Sequence, residues 1–153
     1  MNIHATAVQL GKIGFLIEGK SGSGKTALAL AAIADTQNRG AFAALAADDQ
    51  CLVEACSGRV IAICPQALID LVEIRGLGLV NFSETKHPSF SPIIVDAVIR
   101  LVDSVHIERM PDPHFTDIAG IQLPVFNLPA RQIVICLPII RQIMQTYLLK
   151  NEP

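Results

Sequence analysis

Apolar positions in this chain fall into short runs punctuated by glycine, proline or charged pairs. Lys12 to Glu18 is an apolar stretch that predicts a strand buried on both faces. A glycine-rich turn follows, and Thr26 to Ala34, rich in alanine and leucine, predicts a helix. Asn38-Arg39-Gly40 should stop it. Ala41 to Ala47 predicts the next strand, which delivers Asp48-Asp49 at its end. Cys51 to Ala55 and Arg59 to Ile63 read as a hairpin around Ser57-Gly58. Pro65 to Leu71 is expected to be a short helix, Gly76-Leu77-Gly78 a loop, and Ile93 to Val105 a strand or strand pair. Pro111, Pro113, Pro124, Pro129 and Pro138 should break the later chain into short pieces. No internal repeat is evident, and a single α/β domain over 1–153 is the expectation.

Composition narrows the function classes. The 153 residues are 51% hydrophobic, too apolar for extended disorder. A mean hydropathy of +0.45 fits either a large core or apolar surface covered by a partner subunit. A net charge of −2 gives no electrostatic footprint for nucleic acid, and no cluster of like charges suggests membrane binding. Neither a secretory signal nor a stretch long enough to span a bilayer is present, since Ile133 to Ile140 is closed by Arg141, so the expected location is cytoplasmic. Cys51, Cys56, Cys64 and Cys136 lack metal-ligand spacing and are expected to be buried, reduced thiols.

The chemistry is concentrated at Gly19-Lys20-Ser21-Gly22-Ser23-Gly24-Lys25-Thr26, a full match to G-x-x-x-x-G-K-[ST] between a predicted strand and helix. Such a loop turns successive backbone N–H groups inward onto phosphate, and the helix start adds its positive dipole end. Lys25 would reach the outer phosphates of a nucleotide and the Thr26 hydroxyl would ligate Mg²⁺. Lys20 and Ser23 are expected to be solvated loop residues. Asp48-Asp49 lies about one crossover further on, where strand ends of a parallel sheet line one crevice. Adjacent side chains on an extended segment point opposite ways, so one carboxylate can meet substrate while the other serves metal or scaffold. Spacing alone leaves catalysis and metal positioning equally open for this pair.

Val72-Glu73-Ile74-Arg75-Gly76-Leu77-Gly78-Leu79-Val80-Asn81 resembles the signature of the HPr kinase/phosphorylase family, bacterial enzymes that phosphorylate a serine of the phosphocarrier protein HPr. His4, the phosphate loop, Ala47-Asp48-Asp49 and this segment occur in the family's order. The resemblance implies an α/β P-loop fold of the HPr kinase/PEP carboxykinase-like type, ATP and Mg²⁺ as cofactors, an HPr-type protein as substrate, and a hexameric homo-oligomer. It implies Asp48 as the base that takes the serine proton, His4 beside it, and Lys25 on the transferred phosphoryl group. Thr26 and Glu73 would hold Mg²⁺, with Asp49 as helper. Ile107-Glu108-Arg109-Met110 resembles a family segment with an active-site arginine, so Arg109 is the candidate; pairing with Glu108 or Asp112 at the surface is the structural alternative.

The chain begins almost at His4, so the short form, without the family's N-terminal domain, is expected. It also stops short of part of a helical region that full-length members use on HPr. Pro124 to Gln132 matches loosely a proline-rich loop associated with dephosphorylation, with Ala130 and Gln132 where that loop has Gly and Asn; this weakens the implied phosphorylase half. Two other functions compete: a P-loop kinase for a small metabolite, and a nucleotide sensor that transfers nothing. His87, His106 and His114 are expected at the surface or in loops, Asp70 and Glu84 in solvent, and Phe126 with Ile133 to Ile140 in the core or a subunit interface.

Overall fold

The computed structural model describes residues 1–85 and 89–150, with side chains as far as 146. His87 lies outside the described residues. The chain opens with β1 (Asn2–Ile3) and β2 (Ala5–Leu10), turns at Gly11-Lys12 into β3 (Ile13–Gly19), forms α1 (Lys25–Asn38) and returns as β4 (Ala43–Ala47). There follow β5 (Cys51–Cys56), β6 (Arg59–Ile63), β7 (Leu71–Ile74), β8 (Gly78–Asn81) and β9 (Ile93–Val95). The rest is β10 (Ala97–Val102), β11 (His114–Ile118), β12 (Ile121–Pro129) and α2 (Ile133–Lys150).

A six-stranded sheet in the order β11-β12-β10-β3-β2-β4 carries the architecture, a four-stranded sheet β1-β5-β6-β9 is the second layer, and β7 pairs only with β8. Strand β3 shows why its sequence is apolar throughout. Phe15 and Ile17 pack with Leu28 and Ile33 of α1 and Ile140 of α2, while Leu16 packs among Val53, Val60 and Val95 of the second sheet. Both faces are covered, and each such side chain contributes roughly 1.5–3 kcal/mol by leaving water. The layers meet closely at Gly14, where a β-carbon would stand 1.9 Å from the Ile94 carbonyl oxygen. Asp96 fixes this junction, its carboxylate accepting from Gly14 N–H at 2.9 Å and from Arg59 at 2.8 Å.

β10 runs parallel to β3 and to β12, whereas β2 is antiparallel to both β3 and β4. Strands β3 and β4 therefore share a direction, as a crossover through α1 requires, but β2 stands between them. The sequence reading missed β2, although apolar residues on both sides of Gly11-Lys12 carry a hairpin signal.

Other expectations need correction. Pro65 to Leu71 is helical only in a short 3₁₀ segment, Gln66–Leu68; Asp70 is left-handed (φ 63°), and Leu71 already pairs with Asn81. Pro111 and Pro113 do fall in the irregular stretch before β11 and Pro129 ends β12, but two other prolines break nothing. Pro124 lies within the nine-residue β12, and Pro138 within the 18-residue α2, where the helix forgoes one N–H bond. Cys51, Cys64 and Cys136 are buried but Cys56 is exposed, and burial pushes the Cys51 thiol up to about 11. The hairpin around Ser57-Gly58 forms as expected, with both turn residues at positive φ. Ile93 to Val105 yields a strand pair divided between the two sheets. Among the described residues no helix is long and apolar enough to cross a membrane.

Candidate functional site

The site forms where β3 ends and α1 begins. Gly24 caps α1 at φ 93°, a left-handed conformation open to glycine at low cost. No side chain caps this helix and no acidic residue lies in its first turn, so its leading N–H groups face outward as an anion cradle. Ser23 closes the loop by donating its N–H to Lys20 O at 3.0 Å. Its side chain is buried rather than solvated, and its Oγ has no hydrogen-bond partner. An orphaned hydroxyl inside a loop of inward N–H groups fits a phosphate oxygen, so the residues present suit a nucleotide's phosphates. Lys20 and Ser21 are exposed.

Lys25 is buried, and its ammonium donates to Gly19 O at 3.2 Å and meets His4 Nε2 at 3.0 Å. The other ring nitrogen of His4, Nδ1, lies 3.3 Å from Asp49. An imidazole accepting at Nε2 carries its proton on Nδ1, where it faces that carboxylate. His4 thus joins Lys25 to Asp49, whereas the sequence expectation placed it beside Asp48. It reaches this edge because it precedes β2, whose antiparallel direction brings its first residues to the ends of β3 and β4.

Asp48 is buried and accepts from Thr6 Oγ1 at 3.0 Å and Thr26 Oγ1 at 2.8 Å, both on Oδ1. Burial raises its carboxyl above the usual carboxylate value; the bonds from Thr26 and Thr6 oppose that, the neighbouring Asp49 charge adds to it, and the Glu73 backbone opposes it. The two acids diverge because the chain turns between sheets. Asp49 is at φ 61° and Gln50 N–H returns to Asp48 O at 2.7 Å, so extended-strand alternation is not the cause.

Thr26 faces Asp48, Asp49 faces His4, and Glu73 is exposed with its backbone toward Asp48. Among the described residues no three His, Cys, Asp or Glu side chains converge. Thr26 and Asp48 form a close oxygen pair at the loop, and the Thr26 hydroxyl suits a hard divalent cation that also takes phosphate oxygens. Arg109 is exposed, with no hydrogen bond or ion pair among the described residues, to the phosphate loop or to Glu108 or Asp112. Its neighbours Glu108 and Pro111 line a separate groove against β12 and α2.

Sequence reasoning overlooked Thr6, a polar residue in an apolar strand, and the docking of Arg131. Arg131 N–H donates to Ser23 O at 3.0 Å, and Ala130 N–H to Val102 O at 2.8 Å. A cavity of ≈ 240 Å³ opens there between Lys20 to Ser23 and His106, Ala130 and Arg131. His106 and His114 are exposed as expected, as is Glu84, while Asp70 is half-buried and accepts from Ser89 N–H.

The family described as HPr Serine kinase C-terminal domain matches residues 1–152. An HPr kinase/phosphorylase of Clostridium beijerinckii is 32% identical over 126 residues, 82% of this chain and 38% of that protein. One from Stenotrophomonas maltophilia is 39% identical over 83 residues, 54% of this chain and 24% of that protein. The chain thus spans about four-tenths or less of the curated relatives it matches. The solved Hpr(Ser) kinase/phosphatase of Coxiella burnetii superposes with a TM-score of 0.82 at 25% identity, covering 100% of this chain and 99% of that one. By sequence match and fold together, the chain belongs to the HPr Serine kinase C-terminal domain family.

Proposed function

We propose that residues 1–153 form one catalytic domain, a cytoplasmic ATP-dependent kinase for a serine hydroxyl on an HPr-type phosphocarrier protein. The observation that carries this reading is Asp48, a buried carboxylate hydrogen-bonded to the last residue of the phosphate loop. The loop amides and Ser23 hold the phosphates, and Lys25 leaves His4 or shares itself with the terminal phosphoryl group. Asp48 takes the proton as the serine oxygen attacks the terminal phosphorus, and the bond to the bridging oxygen breaks to release ADP. Mg²⁺ would be held by Thr26 with Glu73 or Asp49 and would supply charge neutralisation on the phosphates when bound.

The reverse reaction with inorganic phosphate uses the same groups, Asp48 returning its proton to the serine oxygen. Exposed Val134, Ile135 and Ile139 on α2 suit burial in a homo-oligomer, as the family's hexamer requires. Mass spectrometry of HPr after incubation with this protein, ATP and Mg²⁺ tests the reading: a gain of one phosphate on serine is expected. HPr left unmodified by protein that binds ATP would rule it out, and subsequent addition of phosphate tests reversal.

A further inference from the structure

We infer that the cavity at the tips of β10 and β12 takes the nucleoside of a bound nucleotide, with the Asp103 carboxylate accepting from the ribose hydroxyls. The inference rests on the nucleotide-kinase reading above and adds to it the place of the nucleotide's uncharged end.

Strand order sets the direction. β3, β10 and β12 run parallel, so their carboxyl ends share one edge of the sheet with the phosphate loop. Ligands of open α/β sheets lie in the crevice outside such ends. Asp48 follows β4, on one side of β3, whereas β10 and β12 lie on the other. A triphosphate seated on the loop amides, with its terminal phosphorus toward Asp48, therefore directs its other end to β10 and β12. There the cavity of ≈ 240 Å³ opens, walled on one side by Lys20 to Ser23 of the loop. It offers room for one sugar and one base.

The lining suits that occupant. Leu101, Val102 and Ala130 supply aliphatic surface for a base, and His106 lines the cavity beside them. Polar selectivity falls to Asp103, which is exposed at the end of β10. Among the described residues its carboxylate makes no hydrogen bond and no ion pair. An ionised carboxylate accepts and cannot donate, and its two oxygens match the two neighbouring hydroxyls of a ribose. The same charge repels phosphate, so it favours the sugar at this flank, while Lys20 and Arg131 answer the phosphate that joins sugar to loop. The walls are tied down in advance. Ala130 N–H donates to Val102 O at 2.8 Å, Arg131 N–H to Ser23 O at 3.0 Å and His106 N–H to Asp103 O at 2.9 Å. Fixing these groups beforehand lowers the cost of binding.

The test measures binding of ATP, of the ATP analogue lacking both ribose hydroxyls, and of inorganic tripolyphosphate, each with Mg²⁺. Titration calorimetry is run on wild type and Asp103→Ala, both checked for native circular dichroism. Wild type should prefer ATP to the dideoxy analogue by about tenfold or more, the worth of hydrogen bonds to a charged group. Asp103→Ala should erase that preference by weakening ATP, while tripolyphosphate, which has no sugar, stays within about twofold of wild type. Equal losses for ATP and tripolyphosphate in the variant would show that Asp103 only shapes the loop, and would overturn the inference. A preference for ATP over the analogue that survives in Asp103→Ala, or that is missing from wild type, would overturn it too and leave the kinase reading standing. A wild type that binds none of the three would instead sink the kinase reading, and the inference with it.

Discussion

Thr26 Oγ1 donates to Asp48 Oδ1 across 2.8 Å, joining the first turn of α1 to the tip of β4. Thr6 on the intervening β2 donates to the same oxygen, so three elements converge on one carboxylate. That convergence holds the acid at the phosphate loop before any ligand arrives.

Removing the base should separate binding from transfer. Asp48→Asn keeps an oxygen to accept from Thr6 and Thr26, so it should bind ATP within about threefold of wild type while phosphoryl transfer to HPr falls by about 10²-fold or more. Lys25→Ala should abolish transfer outright. Labelled ATP with purified HPr reads both; an Asp48→Asn enzyme at near-normal rate would remove the base assignment.

The same substitution should stabilise the fold. Burial lifts the Asp48 carboxyl, so the folded chain holds that proton more tightly than the unfolded one. The associated stability is complete below the ordinary carboxylate value and is lost as pH rises through the raised one. At neutral pH Asp48→Asn escapes this penalty and should melt higher, by about 2–4 °C for each kcal/mol relieved. The difference should shrink toward acid; thermal scans from pH 4 to 8 would expose a constant or reversed offset.

Acid should loosen the helices by the opposite route. The Arg141 side chain, hydrogen-bonded to Asp35, holds that carboxyl below its ordinary value, with Arg141 and Arg39 charges assisting against partial burial. This contribution is present above the ordinary carboxylate value and disappears as pH falls through the depressed one. Asp35→Asn should therefore lower stability at neutral pH and flatten the acid limb of a stability-against-pH curve. An unchanged acid limb would show that the α1–α2 pair contributes nothing measurable.

Gly14 is a packing limit. A methyl there would lie 1.9 Å from the Ile94 carbonyl oxygen, a backbone atom that cannot rotate aside. Gly14→Ala should cost about 3 kcal/mol or prevent folding, read by urea denaturation, whereas Gly58→Ala meets nothing within 4 Å and should be limited to the strain of its φ of 75°.

What the sequence made legible was local. The phosphate loop, β3, α1 and the hairpin at Ser57-Gly58 each combine a periodic run with its own turn residues. The strand after α1 was visible too, and with it the acidic pair. What escaped depended on tertiary order. Sequence spacing cannot show that β2 lies between β3 and β4, so the His4 contacts with Lys25 and Asp49 and the bond from Thr6 to Asp48 were out of its reach. Pro138 and Pro124 were over-read because local cost was allowed to outweigh the packing of a long helix and a paired strand. Ser23 was expected in solvent as a loop residue, yet its side chain is buried.

The reversed course of β2 has a practical outcome for anyone handling this protein. It sets His4 just ahead of the strand, at the edge where β3 and β4 end. A label or added residue placed close before His4 would crowd the mouth of the phosphate loop, so nucleotide binding should be compared with a preparation labelled away from that edge.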